Sequence, residues 1–297
     1  MAAPMFTVVV PATTANLGPG YDSVGMALAL YMRVAVTPAT IWSVQYAGEE
    51  YADLTTGEDN LIVRTVKEVA QRYGKEIESY QLHVQSDIPL GKGLGSSATA
   101  IAAGIVVAER LLHLTFTPIE KARLGSELEG HSDNVTAALF GGVTVSYFVE
   151  DAMEVIQLPK PTIGAVILVP PEALKTSDSR GLLPTDLRHT EAAAGSAAGS
   201  LLTTAIAIGD WALAGRMMEK DVFHERFRKP LFPFFDEIRT YCHSLGAYGM
   251  TISGAGPSLF VAVQDGQEQQ MAEKLAVKFP YYDVMALKPA ETGARIE

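Results

Sequence analysis

A segment rich in glycine and serine, at residues 89–99, constrains this chain more than any other feature. Its sequence is Pro-Leu-Gly-Lys-Gly-Leu-Gly-Ser-Ser-Ala-Thr. The residues before it alternate between apolar and polar side chains, which predicts a strand over residues 80–88. The residues after it are rich in Ala, Ile, Val and Leu and predict a buried helix over residues 98–114. The sequence therefore predicts a strand, a flexible loop and a helix in succession.

A loop of this composition at the start of a helix suits the binding of phosphate. Gly91, Gly93 and Gly95 allow the backbone to turn and to approach a ligand closely. Ser96 and Ser97 lie where free N–H groups and the positive end of the helix dipole face the loop. A serine hydroxyl at that place can also bind a Mg2+ ion that accompanies the phosphates. The alternative is an ordinary glycine-rich turn in which Ser is the helix N-cap.

The bulk composition excludes several classes of function. The chain has 297 residues, of which 48% are hydrophobic and 19% charged, as in a globular protein large enough for two domains. Its net charge of −11 argues against nucleic acid or an anionic membrane as the main partner. The single cysteine, Cys242, excludes an intrachain disulfide and favours a reducing compartment. Without a signal-peptide pattern or an uninterrupted apolar segment of about 20 residues, we expect a cytoplasmic protein.

The first half of the chain predicts strands and helices in an irregular order. The apolar patterns predict strands at residues 6–10, 32–36, 41–46 and 143–149, a helix at residues 59–73, and an apolar turn at residues 135–140. Residues 11–22 are expected to form a long polar loop, because glycine and proline interrupt them. The best hydrogen-bonding side chains of this loop are Asn16 and Asp22, which bind a ligand or only satisfy the turn's own backbone.

A second group of polar residues follows a helix that begins at Thr117. Thr as N-cap, Pro at the first helical position and Glu three residues later mark the start of this helix, and Gly130 marks its end. The helix carries Glu127 and Glu129, and the sequence His-Ser-Asp-Asn follows at residues 131–134. Carboxylates beside such a turn can bind a metal ion or a polar substrate. They can also be a solvated Glu and ordinary capping side chains.

A change in composition at residues 150–161 predicts a domain boundary, which we place between residues 1–155 and 156–297. Beyond it we predict strands at residues 162–169, 248–253, 258–263 and 282–287, helices over residues 190–218, 233–245 and 267–279, and polar connections at residues 175–181 and 224–230. The long helical stretch should break near Gly209. This order predicts helices on one face of an antiparallel sheet, and the whole chain is of the α+β class.

Three segments together resemble the motifs of the GHMP small-molecule kinases. They are residues 11–22, residues 89–98 and the sequence Ser-Gly-Ala-Gly-Pro-Ser at residues 253–258. The first segment, with Glu-Gly-His-Ser-Asp-Asn-Val at residues 129–135, is similar to the homoserine kinases within that superfamily. The resemblance implies an N-terminal domain like domain 2 of ribosomal protein S5 and a ferredoxin-like C-terminal domain. It also implies a cleft between the domains that holds ATP and substrate, and a homodimer.

The resemblance implies an activity and a set of substrate-binding residues. The activity is transfer of the γ-phosphoryl group of ATP to the hydroxyl of L-homoserine, which gives O-phospho-L-homoserine for threonine biosynthesis. Asn16 and Asp22 would bind the amino and hydroxyl end of this substrate. Arg180 and Arg228 would bind its carboxylate, because a planar guanidinium pairs with a carboxylate through two hydrogen bonds. His131 would donate a further hydrogen bond to the substrate.

The resemblance implies metal and nucleotide sites as well. Ser97 and Glu127 would hold Mg2+, and Glu129 is the less favoured ligand because the spacing of this turn varies within the family. The implied ATP-binding residues are Asn60, Pro89, Leu90, Gly91, Lys92, Gly93, Leu94, Gly95, Ser96, Ser97, Ala98, Thr99, Gly254 and Gly256.

The implied mechanism works without a general base. Asn134 lies where mevalonate and galactose kinases have an Asp, and an amide cannot accept a proton from the substrate. Phosphoryl transfer tolerates this, because its loose transition state depends mainly on positioning and charge stabilisation. Thr176 would orient groups near the attacking hydroxyl.

Two other functions compete with this one. A GHMP kinase for mevalonate or a sugar is disfavoured by Asn134, by Asp22 and by the two arginines. A non-catalytic member that senses a nucleotide or metabolite, or that acts as a transcription partner, is disfavoured by the intact Gly/Ser loop, by Glu127 and by the lack of a basic patch.

Overall fold

A computed structural model describes residues 4–48, 51–159 and 161–297. The strands are β1 (Phe6–Ala15), β2 (Val24–Pro38), β3 (Ser43–Ala47), β4 (Tyr80–Ser86), β5 (Val143–Val149), β6 (Ala152–Leu158), β7 (Ile163–Val169), β8 (Gly249–Ile252), β9 (Leu259–Gln264), β10 (Asp283–Leu287) and β11 (Arg295–Ile296). The helices are α1 (Leu61–Arg72), α2 (Ser96–Leu111), α3 (Pro118–Glu129), α4 (Asp133–Phe140), α5 (Thr176–Arg180), α6 (His189–Ile208), α7 (Trp211–Met218), α8 (Glu225–Arg228), α9 (Phe235–Ser244) and α10 (Glu268–Lys278).

The first sheet combines the N-terminal strands with the last strand of the chain. Its order is β11-β1-β2-β4-β3, and β5 pairs with both β2 and β6. Among the described residues of this sheet, β3 and β4 pair in parallel and the other pairs are antiparallel. Helices α2 to α4 pack with this sheet and α1 packs against α2; α2 and α4 both contact β1 and β2. Their apolar faces and the sheet form one large core.

Strand β1 is longer than predicted. Residues 11–15, which we expected to begin a polar loop, continue β1 and pair with β2 as far as Ala15 opposite Gly25. Thr13 and Thr14 are fully buried there, and both hydroxyls have hydrogen-bond partners. Their burial is possible because those bonds replace the bonds to water. The polar loop is therefore confined to residues 16–23.

The start of α1 and both ends of α3 agree with the prediction, but α4 was not predicted as a helix. The Asn60 side chain accepts a hydrogen bond from the Ile62 N–H at the start of α1, and Thr117 caps α3 through a capping box. Helix α3 ends at Gly130, which has a φ of 87°. Residues 135–140, which were predicted as an apolar turn, belong to α4. This helix is buried on nearly every side and so lacks the amphipathic pattern that marks a surface helix.

The second sheet is antiparallel, as predicted, and its strand order is β10-β7-β9-β8. Helices α9 and α10 pack with it around a second core. The prediction of polar connections at residues 175–181 and 224–230 is wrong, because these segments contain the short helices α5 and α8. Helices of five and four residues are too short to show a helical period in the sequence.

The chain moves from one sheet to the other between Leu158 and Ile163. Residue 155 lies within β6, all of whose residues pair with β5. The domain boundary after residue 155 stays a prediction. The change from the first sheet to the second comes a few residues later, after Leu158. The chain then returns at its end, because β11 pairs with β1.

Helix α6 is long and apolar. Among the described residues it is the one helix that could cross a membrane by length and composition, which is weak evidence because a core helix of a soluble protein meets the same test. Of its most apolar window, 28% is buried in the protein, and the helix packs against α7.

Candidate active site

A cleft of about 590 Å3 lies between the two sheets and is lined by residues from both halves of the chain. The first half contributes the loop after β1, the Gly/Ser loop before α2, and the junction of α3 and α4. The second half contributes α5, the end of α8 and the turn at Gly254. All five predicted substrate-binding side chains line this cleft, as do both predicted catalytic residues: Asn16, Asp22, His131, Arg180, Arg228, Asn134 and Thr176.

The Gly/Ser loop has the backbone conformation that its glycines permit. Gly91, Gly93 and Gly95 have φ values of 66°, 74° and 70°, where residues with a side chain are strained. A Cβ on Gly93 would lie 2.5 Å from the carbonyl oxygen of Ser253. The loop thus passes very close to the turn before β9, and its free N–H groups at the start of α2 face the cleft.

Only part of the predicted nucleotide set lines the cleft. The residues that do are Asn60, Leu90, Gly91, Lys92, Gly93, Gly95, Ser96, Ser97 and Gly254. Those outside the cleft lining are Pro89, Leu94, Ala98, Thr99 and Gly256. Leu94, Ala98 and Thr99 are buried, and a Cβ on Gly256 would collide with Phe232. These positions shape the loop from behind.

Glu129, not Glu127, lies beside Ser97. The Ser97 hydroxyl donates to Glu129 Oε1 at 2.5 Å, and only 10% of the Glu129 side chain is exposed. Burial raises the pKa of Glu129, against the opposing effects of the Ser97 hydrogen bond and of His131. Glu127 instead pairs with Arg72 and Arg123 on the outer side of α3. Glu127, predicted as the metal ligand beside Ser97, thus lies outside the cleft lining, and Glu129 lies beside Ser97 instead.

Asp22 and Arg180 form an ion pair across the cleft. The Arg180 guanidinium donates to both Asp22 oxygens, at 2.6 and 3.1 Å, and to the Tyr21 hydroxyl at 3.0 Å. Asn16 holds the Asp22 loop in place, since its Oδ1 accepts from the Asp22 N–H and its Nδ2 donates to the Gly254 carbonyl. Two groups predicted to bind opposite ends of a zwitterion thus lie in direct contact.

Arg228 is almost completely buried, with 1% of its surface exposed. Its guanidinium donates to the Gly254 carbonyl at 3.1 Å and lies 5.8 Å from the centre of the Tyr21 ring. Burial lowers the pKa of Arg228, and the nearby Arg180 lowers it further. A guanidinium with so little water around it favours an anionic ligand.

His131, Asp133 and Asn134 form a hydrogen-bonded chain at the start of α4. His131 Nδ1 lies 2.6 Å from Asp133 Oδ1, which also accepts from the Asn134 backbone N–H at 2.8 Å. Burial alone would lower the pKa of His131, but Asp133 and Glu129 raise it more, so the pKa is raised overall. Asn134 Oδ1 accepts from the Thr13 hydroxyl at 2.8 Å.

Comparisons with known proteins agree with this geometry. The family model described as "GHMP kinases N terminal domain" matches residues 60–142, and the model described as "GHMP kinases C terminal" matches residues 202–280. The chain is 39% identical to homoserine kinase of Bacillus licheniformis, over 99% of this chain and 96% of that protein. This chain belongs to the homoserine kinase family of GHMP kinases. The predicted superfamily and its two-domain fold are thereby confirmed.

Two solved structures extend the comparison. A putative homoserine kinase from Listeria monocytogenes superposes with a TM-score of 0.85 at 32% identity, over 98% of this chain and 99% of that one. Mevalonate kinase of L. major, in complex with R-mevalonate, superposes with a TM-score of 0.73 at 14% identity, over 99% and 100% of the two chains. The second likeness concerns the fold alone.

Residues outside the kinase motifs line the other end of the cleft. Tyr46 and Tyr51 stack with ring centres 5.4 Å apart, and Met32, Leu54 and Leu61 complete an apolar wall. The Tyr51 hydroxyl donates to the Ser86 carbonyl. These residues were not predicted from the sequence, because no motif marks them and single apolar side chains carry no signal of a site.

Lys92 of the Gly/Ser loop connects the two halves of the chain. Its ammonium donates to the carbonyls of Pro170 and Pro171, at 3.0 and 2.6 Å. Burial lowers the pKa of Lys92, and Glu172 opposes that effect. In this member of the homoserine kinase family, the lysine of the loop is thus bound to the segment that leads into α5.

Proposed function

We propose that the protein transfers the γ-phosphoryl group of ATP to the side-chain hydroxyl of L-homoserine, which gives O-phospho-L-homoserine and ADP for threonine biosynthesis. One observation carries the proposal: the cleft of a GHMP kinase here contains a carboxylate, Asp22, and two guanidiniums, Arg180 and Arg228. These groups match the ammonium and the carboxylate of a small zwitterion.

The ion pair of Asp22 and Arg180 supports a zwitterionic substrate. An amino acid that enters between them places its ammonium against Asp22 and its carboxylate against Arg180. Each charged group then exchanges one partner of opposite sign for another, so neither half-buried charge is left without a partner. A neutral polyol would break the pair without replacing it, which disfavours a sugar at this place.

The nucleotide fits the remaining length of the cleft. Its phosphates would bind the N–H groups of the Gly/Ser loop at the positive end of α2. The base would then lie against the apolar wall that contains Tyr46 and Tyr51. This arrangement would place the γ-phosphate in the part of the cleft that Ser97 and Asn134 line.

The donor set beside the Gly/Ser loop fits Mg2+. Ser97 and Glu129 offer two oxygen atoms 2.5 Å apart, and oxygen ligands suit this ion. Burial raises the pKa of Glu129, so a cation beside it would offset the cost of its charge. When bound, Mg2+ would neutralise charge on the β- and γ-phosphates.

The site supports a reaction without a carboxylate base. In the proposed complex Asp22 binds the substrate ammonium and Glu129 binds Mg2+ with Ser97, while Asp133 stays paired with His131. The hydroxyl oxygen bonds to the γ-phosphorus while the bond to the bridging oxygen breaks, and ADP leaves with that electron pair. The hydroxyl proton then passes to a phosphate oxygen or to water, as a loose transition state allows. Thr176, at the start of α5, would help to orient the hydroxyl.

A homodimer in the cytoplasm, without nucleic acid or membrane as partner, completes the proposal. The family resemblance supports the dimer, and the net charge of −11 argues against nucleic acid or an anionic membrane as partner. Light scattering on the purified protein, with and without ATP, would measure the mass of the particle, and a monomer at micromolar concentration would contradict the dimer.

An ADP-release assay with several alcohols tests the proposed substrate. L-homoserine, mevalonate, galactose and shikimate are supplied separately with ATP and Mg2+, and kcat/KM is compared. We expect L-homoserine to exceed the others by about a thousandfold or more, because the others lack one or both charged groups of the zwitterion. A higher kcat/KM for any of the other three would contradict the proposal.

A further inference from the structure

Thr13 lies on β1 behind the Gly/Ser loop and is fully buried. Its hydroxyl donates to Asn134 Oδ1 at 2.8 Å, and its backbone N–H donates to the Leu94 carbonyl at 3.1 Å. Gly95 covers this pair: a Cβ there would lie 1.9 Å from Thr13 Oγ1 and 3.1 Å from Asn134 Oδ1. The hydrogen bond between Thr13 and Asn134 therefore fits only because position 95 is a glycine; a side chain there would collide with Thr13.

Two contacts fix the same orientation of the Asn134 carboxamide. Its oxygen accepts from Thr13, and its Nδ2 lies 3.5 Å from Asp133 Oδ1. The reversed orientation would place two acceptor oxygens against each other. Asp133 cannot turn away easily, because His131 and the Asn134 backbone N–H both hold the same oxygen. The NH2 edge of Asn134 is thus the edge left for a ligand in the cleft.

We propose that Thr13 is a positioning residue for phosphoryl transfer. By holding the carboxamide oxygen of Asn134, Thr13 presents the NH2 group to the reacting oxygen atoms as a hydrogen-bond donor. The proposal rests on the proposed function of the cleft. It also gives Asn134 a definite role, since a donor aligns the hydroxyl and stabilises charge on the phosphoryl group without taking the proton.

The change Thr13→Val tests this role, because valine keeps the shape of threonine and removes the hydroxyl. We expect kcat to fall about tenfold, with KM for homoserine and for ATP changed by less than about twofold. Thr13→Ser restores the hydroxyl and should recover most of kcat. Thr136→Val is the matched control: this buried threonine of α4 bonds to Ser132 and Thr144. It should lower the melting temperature without lowering kcat.

A double-mutant cycle separates positioning from structural damage. If Thr13 acts through Asn134, Thr13→Val should cause no further loss of kcat when Asn134 is already Ala. The inhibition constant of 2-aminobutyrate, which lacks the hydroxyl, should be the same for the wild type and for Thr13→Val. Should Thr13→Val not fold, Thr13→Ala serves in the same cycle.

Two results would overturn the proposal. One is a tenfold loss of kcat that persists in the Asn134→Ala background, and the other is a loss confined to KM. The cycle is read with whichever alcohol the wild type phosphorylates, so a wrong substrate appears in the panel of alcohols and leaves the cycle interpretable.

Discussion

Glu127 and Glu129 lie two positions apart at the end of α3 and have opposite surroundings. Successive residues of an α-helix are about 100° apart around its axis, so these two side chains point in nearly opposite directions. Glu129 faces Ser97 in the cleft, whereas Glu127 faces Arg72 outside it. Of these two glutamates, Glu129 is therefore the one placed to serve the proposed metal site.

The two glutamates provide a matched pair of variants for catalysis. We expect Glu129→Gln to lower kcat on the order of a hundredfold and to raise the Mg2+ concentration needed for half-maximal rate. Glu127→Gln should change kcat by less than about threefold, because it breaks only surface ion pairs. Steady-state rates over a Mg2+ titration measure both, and the reverse order of effects would restore Glu127 as the ligand.

The buried charge of Glu129 also predicts a pH-dependent stability. Its pKa is raised in the folded state, so the folded protein binds this proton more tightly than the unfolded chain does. The resulting stability is fully present below the unfolded pKa of about 4.3 and is lost as the pH rises through the folded value. Without Mg2+, the melting temperature of Glu129→Gln minus that of the wild type should therefore increase by about 2–5 °C from pH 4 to pH 7. Equal melting temperatures throughout this range would contradict the burial of a charged Glu129.

At the scale of elements, the Gly/Ser loop is held by protein contacts as well as shaped for a ligand. Gly93 meets the backbone carbonyls of Ser253 and Gly256, at 2.5 and 2.6 Å from an added Cβ. Gly91 meets only the side chain of Ala173, at 3.1 Å. The contact at Gly91 needs a shift of only a few tenths of an ångström, whereas a Cβ on Gly93 would overlap two backbone carbonyls, so the two glycines should differ in their tolerance of a methyl group.

Gly93→Ala and Gly91→Ala compare these two positions. Both put a side chain at a positive φ, which costs about 1 kcal/mol in either variant. We expect Gly93→Ala to lower the melting temperature further, and to weaken ATP binding at least about tenfold more than Gly91→Ala does. Differential scanning fluorimetry and ATP titration by calorimetry measure the two effects. A Gly93→Ala variant that melts and binds ATP like Gly91→Ala would show that the loop can move away from the turn at Ser253.

The sequence predicted the elements with a strong local signal and failed where the signal is not local. Capping at Thr117 and Gly130 predicted both ends of α3, because cap residues act within one turn of the helix. The loop predicted from the glycines and proline of residues 11–22 wrongly includes residues 11–15, because Thr13 and Thr14 look polar until their partners Asn134 and Ser253 are known. The apolar wall at Tyr46 was missed for the same reason: the fold brings it to the Gly/Ser loop from distant parts of the chain.

At the scale of the whole molecule, polar contacts join the two halves around the cleft. Arg180 pairs with Asp22, Lys92 with the carbonyl of Pro170, and Asn16 with that of Gly254. A substrate that binds Asp22 and Arg180 would replace one of these contacts and keep the halves connected through itself. Substrate affinity should therefore depend on the geometry of Arg180 more than on its charge alone.

Arg180→Lys tests this dependence. The ammonium keeps the charge but cannot reproduce a two-point contact, so KM for homoserine should rise about tenfold or more while KM for ATP changes less than about twofold. Arg226→Lys is the control, because Arg226 pairs with Glu191 at the surface. Steady-state kinetics with each substrate varied in turn gives both constants. Equal increases in the two KM values would place Arg180 outside the homoserine site.

The identity of the reaction product tests the central claim most directly. The wild-type protein is incubated with ATP, Mg2+ and L-homoserine, and the product is examined by 31P NMR with coupling to protons and by mass spectrometry. We predict one new phosphate monoester whose phosphorus couples to the side-chain methylene protons of homoserine, formed in equal amount to ADP. ATP hydrolysis to free phosphate without this ester, or a phosphoryl group on the amino or carboxyl end, would contradict the account.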